Sequence, residues 1–119
     1  MKINLTSTAR CILSKNNAYG LYANATTAFA VINAQQVSAP LDSKGFNHIV
    51  VTYNSTAPSD QIKIYVNGTL RTMGTLSDQI NTNTNTIKIG EVNSILDEIT
   101  LYSTTLSQQE VTDYFHKFD

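Results

Sequence analysis

The chain has 119 residues, with 8 basic and 9 acidic side chains and a formal net charge of −1. This length fits one domain. Only 14% of the residues are charged, against roughly 25% in an average globular protein, and Ser, Thr and Asn supply 38 of the 119 residues. A near-neutral chain without a Lys/Arg run argues against nucleic-acid binding. No apolar run is long enough to span a membrane, and the first residues lack the apolar core of a signal peptide.

The first half of the chain consists of short apolar runs separated by turn residues, a pattern typical of strands. These runs predict strands at residues 12–13, 19–23 and 27–32, with a break at Pro40 and residues 42–45. Residues 48–53 contain four consecutive β-branched side chains. Such a run favours a strand that is covered on both faces.

The clearest alternation in the sequence lies at residues 61–67, where apolar residues recur with a period of two. This period predicts one face toward the core and one wetter face. The core face would carry Ile62, Ile64 and Val66, and the wetter face Gln61, Lys63 and Tyr65. Asn67-Gly68 follows directly and is the strongest hairpin signal in the chain, so residues 69–73 are predicted to form the return strand.

The last part of the chain is predicted to contain two strands and one helix. The strands are at residues 86–89 and 95–102, after a polar loop at 81–86. Ser107 and Glu110 fit the S-x-x-E capping box, which marks a helix start. An apolar stripe with helical spacing follows at Val111, Tyr114, Phe115 and Phe118. About eight strands and one terminal helix indicate an all-β, antiparallel two-sheet sandwich.

Several segments, taken in order, resemble a known family. They are residues 46–54, 62–68, 87–90 and 96–102, followed by the helix start at 106–111. In the laminin-G-like domains of the concanavalin A-like lectin/glucanase superfamily, a His-Val-rich strand, a Tyr-Val-Asn-Gly hairpin, an Ile-Gly strand and an Asp-Glu strand recur in this order before a Leu-Ser-x-x-Glu helix. The resemblance extends from about Tyr19 to Phe118, with Phe46 where the family usually has Trp.

The resemblance implies a jelly-roll sandwich with one short C-terminal helix, formed by a single domain over residues 1–119. Because the resemblance is poor before Tyr19, we expect the family's opening strands to be missing. Members of the family mostly bind sugars, peptides or other proteins. We therefore expect a non-catalytic module that recognises a carbohydrate or a protein surface. The alternative is a structural or assembly subunit of a virion, a phage or a gene cassette.

The sequence offers no catalytic residues. Glycosidases need two carboxyl groups about 5–9 Å apart, and the acidic pair Asp97-Glu98 is adjacent, so its side chains would point to opposite faces. The single cysteine, Cys11, can form neither an internal disulfide nor a Cys-based zinc site. The resemblance implies a structural calcium near Asp97, but its usual companion ligands come from the N-terminal region. We expect no metal and no cofactor.

Two groups of residues are candidates for ligand binding. The first, on the wetter face of the predicted strands, contains Lys63, Tyr65, Lys88 and Tyr102. Aromatic rings flanked by hydrogen-bonding groups suit a sugar, although tyrosines also pack with only their hydroxyl groups at the surface. The second lies in the polar loops at residues 54–60 and 81–85, where loops commonly carry function. It contains Asn54, Asn81 and Asn83.

The missing opening strands would leave an open sheet edge, which invites pairing with another chain. The segment 2–14 could fill the gap, or a second copy could cover it about a twofold axis, and we expect a homodimer. Four N-x-S/T sequons, at Asn4, Asn24, Asn54 and Asn67, are weak evidence of secretion. A location outside the cell or on a particle surface is expected only if the chain is part of a longer protein.

Overall fold

In the computed structural model, the described residues are 2–4, 10–24, 26–33, 35–42, 47–75, 80, 82–91, 95–97 and 106–116. They contain ten strands and one helix. The strands are β1 (Lys2–Asn4), β2 (Arg10–Lys15), β3 (Tyr19–Ala23), β4 (Thr27–Ile32), β5 (Gln35–Pro40), β6 (Asn47–Tyr53), β7 (Ile62–Val66), β8 (Thr69–Gly74), β9 (Ile87–Glu91) and β10 (Ile95–Asp97), and the helix is α1 (Gln108–His116).

The strands form two antiparallel sheets, each with five strands in the described part of the chain. Sheet 1 has the order β10-β1-β6-β7-β8, and sheet 2 has the order β5-β4-β3-β2-β9. One hydrophobic core contains side chains from both sheets. The predicted all-β sandwich with a short C-terminal helix is confirmed.

The core contains large residues of both sheets, including the fully buried Ile12 of β2, and several small residues of sheet 2. Sheet 1 contributes Ile49, Ile62, Ile64 and Val66, all at most 2% exposed. Sheet 2 contributes Ala23, Ala28, Ala30 and Ala39, all at most 1% exposed, together with Leu21 and Ile32. The predicted core face of β7 is therefore confirmed. Large side chains opposite small ones allow two sheets to interdigitate at the usual spacing of about 10 Å.

The two sheets are also joined along the edge formed by β5 and β8. The Thr72 hydroxyl in β8 donates a hydrogen bond of 2.7 Å to the Ser38 carbonyl in β5. A Cβ atom added to Gly74 would lie 2.9 Å from Val37 Cγ1, so the absence of a side chain at residue 74 allows the strands to approach closely.

The N-terminal segment supplies one strand to each sheet: β2 includes the strand predicted at residues 12–13, and β1 was not predicted. β1 pairs with both β6 and β10, and β2 pairs with both β3 and β9. β1 and β2 are therefore interior strands, and the expectation that the opening strands are missing is wrong. β5 was also missed, because its polar residues and Pro40 have low strand propensity. Proline is tolerated there because β5 is an edge strand of sheet 2.

The expected homodimer rested on an open edge beside the missing strands. Of the two ways considered to close that edge, the structure uses the N-terminal segment. The open edge therefore no longer supports a homodimer, which stays a prediction. Light scattering during size-exclusion chromatography would test it.

Helix α1 begins with the predicted capping box. The Ser107 backbone N–H donates to Glu110 Oε1 at 3.0 Å, and the Glu110 N–H donates to Ser107 Oγ at 3.2 Å. Val111 is fully buried. The Phe115 ring lies 5.9 Å from the His48 ring, which alternates with Ile49 and so faces away from the core. The helix therefore packs on the outer side of sheet 1. Phe118 lies outside the described residues.

No helix in the described part of the chain is both long and apolar enough to cross a membrane.

The predicted Asn67-Gly68 hairpin is present. The Asn67 side chain also forms hydrogen bonds with Asp42, which follows β5, and with Asn47, the first residue of β6. Both turn residues have positive φ, 52° and 80°, as a type I′ turn requires. Asn67 Nδ2 donates to Asp42 Oδ2 and to Asn47 Oδ1, and Asn67 Oδ1 accepts from the His48 N–H at 2.8 Å. Arg71 donates to Asp42 Oδ1 at 3.1 Å. The hydrogen bonds from Asn67 and Arg71 lower the pKa of Asp42 below its ordinary value.

We predict that Ile64→Asp unfolds the domain, because the side chain of Ile64 is fully buried and a carboxylate there would have no partner. The matched control is Met73→Asp in β8, since Met73 is 53% exposed. The control should change the free energy of unfolding by no more than about 0.5 kcal/mol. Thermal unfolding followed by circular dichroism measures both variants. A cooperative transition in Ile64→Asp would show that the assigned core face is incorrect.

We predict that Asp42→Asn makes stability less dependent on pH. A carboxyl group with a lowered pKa stabilises the folded state above its unfolded pKa of about 3.9, and this contribution is lost as the pH falls through the folded value. Because Asp42 is half-exposed, the effect should be about 0.2–1 kcal/mol. Urea unfolding at pH 7 and pH 2.5 measures it. Arg71→Met should remove part of the dependence, and an unchanged pH profile in Asp42→Asn would contradict the assignment.

Candidate functional site

A cleft opens beside the tight turn between β2 and β3 of sheet 2. In this turn the Ala18 N–H donates to the Lys15 carbonyl at 3.0 Å, and Asn17 has a φ of 63°. Asparagine tolerates this left-handed conformation better than most residues. The Asn33 N–H donates to the Ala18 carbonyl at 2.7 Å, so the turn after β4 is fixed against the turn after β2. The rim of the cleft is therefore held by backbone hydrogen bonds.

One wall of the cleft is the ring of Tyr22, which lies over Gly20. A Cβ atom added to Gly20 would be 2.7 Å from Tyr22 Cε1 and 3.5 Å from its hydroxyl oxygen. The missing side chain at residue 20 thus gives the tyrosine ring its position. Tyr22 and Gly20 alternate with buried Leu21, so both lie on the outer side of sheet 2. The Tyr22 ring is partly exposed there.

The cleft has a volume of about 130 Å³. Its lining is mostly polar, and the residues with polar side chains that line it are Ser14, Lys15, Asn16, Asn17, Tyr19, Tyr22 and Asn33. Lys15 is the charged residue among the described lining residues, and none of these carries a carboxylate. Amide and hydroxyl groups both donate and accept hydrogen bonds. The cleft thus combines one aromatic wall with groups that match the hydroxyls of a polar ligand.

The polar loop before β9 is fastened to the same turn. The Nδ2 atoms of Asn83 and Asn85 both donate to the Asn16 carbonyl, at 3.0 and 2.9 Å. Asn83 Oδ1 accepts from the Asn85 N–H at 2.9 Å, which orders the loop locally. The structure therefore places Asn83, one of the candidates from the sequence, beside the cleft, where its amide holds the rim.

The other candidates on the predicted wetter face do not form one site. Tyr65 is only 3% exposed, and burial raises the pKa of its hydroxyl above the ordinary value. The expectation of an accessible ring at this position is wrong. Lys63 and Tyr65 lie in sheet 1, whereas Lys88 lies in β9 of sheet 2. Residues that share an alternation pattern in the sequence thus belong to different sheets, whose outer faces point away from each other. Tyr102 and Asn81 lie outside the described residues.

The side chain of Asn54 stabilises its own loop by hydrogen bonds within that loop. Its Oδ1 accepts from the backbone N–H and the hydroxyl of Thr56, at 3.1 and 2.7 Å. Asn24 makes the same pair of bonds with Thr26. The Asn and Thr of these two sequons are therefore the two ends of an Asx turn. This geometry gives the N-x-T pattern a structural reason at both sites.

Sequence reasoning missed Tyr22 and Gly20. The signal in the sequence was Gly20, a glycine inside an aromatic-rich strand. A glycine in a strand often marks a place where another group approaches the backbone closely. The phenol of Tyr22 bends back along its own strand over residue 20, and alternation alone does not reveal that direction.

No group of three or more His, Cys, Asp or Glu residues that could hold a metal ion is found in the described parts of the chain. Asp97, the residue for which the resemblance implied calcium, is the last residue of β10. The expectations of no metal and no cofactor stay predictions.

Comparison with known proteins agrees with the fold. No curated protein matches the chain significantly. The sequence profile of a laminin G family, described as the concanavalin A-like lectin/glucanases superfamily, matches residues 2–112. The match includes β1 and β2, the strands that the resemblance from sequence left out.

Superfamily membership indicates a lectin-like or other binding module, although a shared fold does not by itself identify a ligand. Two facing antiparallel sheets, a capped C-terminal helix and a match over almost the whole sequence together establish that the chain is a laminin-G-like member of the concanavalin A-like lectin/glucanases superfamily.

Proposed function

We propose that this domain is a non-catalytic module that binds a carbohydrate in the cleft beside Tyr22. The observation that carries the proposal is the tyrosine ring held over Gly20 next to a polar rim. The C–H face of a sugar ring packs on an aromatic ring, while its hydroxyls pair with amide and hydroxyl groups. Binding sites of this kind combine an apolar contact with a few placed polar groups.

The distribution of side chains across sheet 2 supports the proposal. Small residues of β4, Ala28 and Ala30, face the core, while larger Phe29 and Val31 are partly exposed on the outer side. Phe29 is the register partner of Tyr22, and Val31 is the register partner of Gly20. A sandwich normally places its larger apolar residues inward. Phe29 and Val31 depart from this rule and add an aromatic and an apolar side chain to the outer face of sheet 2, while Ile32 of the same strand is buried in the core.

The size and chemistry of the cleft favour a short, neutral-to-polar ligand. A volume of about 130 Å³ is below the roughly 300–1,000 Å³ that encloses a drug-sized molecule, so it suits one sugar ring held at the cleft. The described lining residues contain no carboxylate, whereas glycoside hydrolysis uses two. This composition supports binding without hydrolysis.

We predict that simple sugars bind with dissociation constants near 1 mM, a value that corresponds to about −4.1 kcal/mol. Titration of a ¹⁵N-labelled protein with a panel of methyl glycosides, followed by NMR, should shift the amide signals of residues 14–22 and 31–33. Tyr22→Ala should weaken binding about 3- to 10-fold, since an aromatic contact contributes about 0.5–1.5 kcal/mol. Met73→Ala on sheet 1 is the control and should bind normally.

A second variant tests the ring position without removing the ring. Gly20→Ala should weaken binding because the new Cβ would lie only 2.7 Å from Tyr22 Cε1 and so would displace the ring. Because Gly20 is a strand residue without a positive φ, the fold should be retained, which the melting temperature would verify. Signal shifts confined to the loop at residues 54–60, or no shifts at 20 mM sugar (roughly 20 times the expected dissociation constant), would contradict the proposal.

A further inference from the structure

The turn between β7 and β8 contains the single Asn-Gly pair of the sequence, Asn67-Gly68, and such a pair can lose ammonia. The glycine nitrogen attacks the asparagine Cγ, the side-chain nitrogen leaves with the glycine proton as ammonia, and a five-membered succinimide forms. Water then opens this ring to aspartate or isoaspartate. Glycine favours the reaction because it has no Cβ to hinder the attack. The chemistry of the turn thus makes Asn67 a candidate for deamidation.

The structure explains why residue 68 is glycine, although this glycine makes Asn67 labile. Gly68 has a φ of 80°, a conformation that residues with a side chain rarely adopt. A Cβ atom added to Gly68 would lie 2.9 Å from Phe115 Cδ2, so α1 packs directly on the turn. The Gln108 side chain in α1 donates to the Gly68 carbonyl at 3.1 Å. The docking of the helix therefore requires the glycine that promotes deamidation.

In the folded protein, three hydrogen bonds hold the Asn67 side chain. Its Nδ2 donates to Asp42 Oδ2 and to Asn47 Oδ1. Its Oδ1 accepts from the His48 N–H at 2.8 Å. Ring closure moves the whole amide, and the leaving nitrogen has to give up both of its acceptors. The native contacts therefore oppose the reaction, and unfolding removes that protection.

The product of deamidation does not fit the native site. An aspartate at residue 67 would present a second oxygen, instead of a donor, to Asp42 Oδ2 and Asn47 Oδ1. The hydrogen bond from Asn67 is the first of the contacts that lower the pKa of Asp42, so Asp42 is ionised at neutral pH and would face the new charge. Asn47 is only 5% exposed, so water could not replace the lost hydrogen bond.

We propose that Asn67 is a deamidation site that the native hydrogen bonds protect, and that a chain deamidated during unfolding refolds to a less stable structure. The reaction consumes water, releases ammonia and needs no enzyme. Because ammonia is lost, the change is irreversible. Isoaspartate would disturb the structure further, since it adds one atom to the backbone of a two-residue turn. Unfolding of this domain therefore carries a covalent consequence at one defined residue.

The first experiment compares the rate of deamidation in the folded and unfolded protein. The purified protein is incubated at pH 8 with and without guanidinium chloride, and peptide mapping by mass spectrometry quantifies aspartate and isoaspartate at residue 67. The reaction should be at least about tenfold slower in the folded protein, because three hydrogen bonds oppose it there. Equal rates under the two conditions would overturn the proposal.

A variant tests whether the named hydrogen bonds give the protection. Asp42→Ala removes one acceptor of Asn67 Nδ2, so it should speed deamidation in the folded protein without changing the rate in guanidinium chloride. Asp113→Ala is the matched control, since it removes an exposed carboxylate that accepts from Gln109 within α1. The control should react at the original rate. An increase in Asp42→Ala no larger than its increase in unfolded fraction, measured by urea unfolding, would show that these bonds give no protection.

Another pair of variants tests the misfit of the product. Asn67→Asp should lower the melting temperature by roughly 5–10 °C. Combining Asn67→Asp with Asp42→Asn should recover at least half of this loss, because the introduced amide can donate to the introduced carboxylate. An unchanged melting temperature in Asn67→Asp would overturn the proposal that the product is less stable. A double variant without recovery would overturn the assignment of the misfit to Asp42.

Discussion

The packing of the two sheets around one buried apolar core is the constraint on which the rest of the structure depends. Ile62 and Ile64 of sheet 1 belong to one buried cluster with Ala28, Ala30 and Ile32 of sheet 2, all at most 6% exposed, so water is excluded from the space between the sheets. On β4 the alternation that buries Ala28, Ala30 and Ile32 places Phe29 and Val31 on the outer side. The aromatic surface proposed for binding is therefore a consequence of how the core is filled.

Much of the fold could be predicted because its signals are local. The alternation in β7, the Asn67-Gly68 turn and the Ser107 capping box each depend on neighbouring residues, and the structure confirms all three. β1 has only three residues, and its pairing with β6 and β10 is entirely non-local. β5 is polar and is an edge strand. Neither strand has an apolar pattern strong enough to be recognised without its partners.

The candidate site was less predictable, because it depends on which sheet each strand joins. Alternation correctly predicted that the Tyr65 side chain points away from the core face of β7. It could not reveal that this side chain is buried on the outer side of sheet 1. It also grouped Lys63 with Lys88, which lie in different sheets. Asn83 was identified from its polar loop, and the structure brings it to the β2–β3 turn. Tyr22 became a candidate only when its contact over Gly20 was known.

The interior position of β1 in sheet 1 has a consequence for synthesis of the protein. Lys2 pairs with His48 on one side and with Asp97 on the other, so the strand cannot complete its hydrogen bonds until residue 97 has been made. At about 5–20 residues per second, translation from residue 2 to residue 97 takes on the order of 5–20 s. Such long-range pairing also slows folding itself. Until β10 is synthesised, the edge of β1 that β10 will occupy can pair with any other extended segment nearby, which makes the nascent chain most vulnerable to mispairing during this interval.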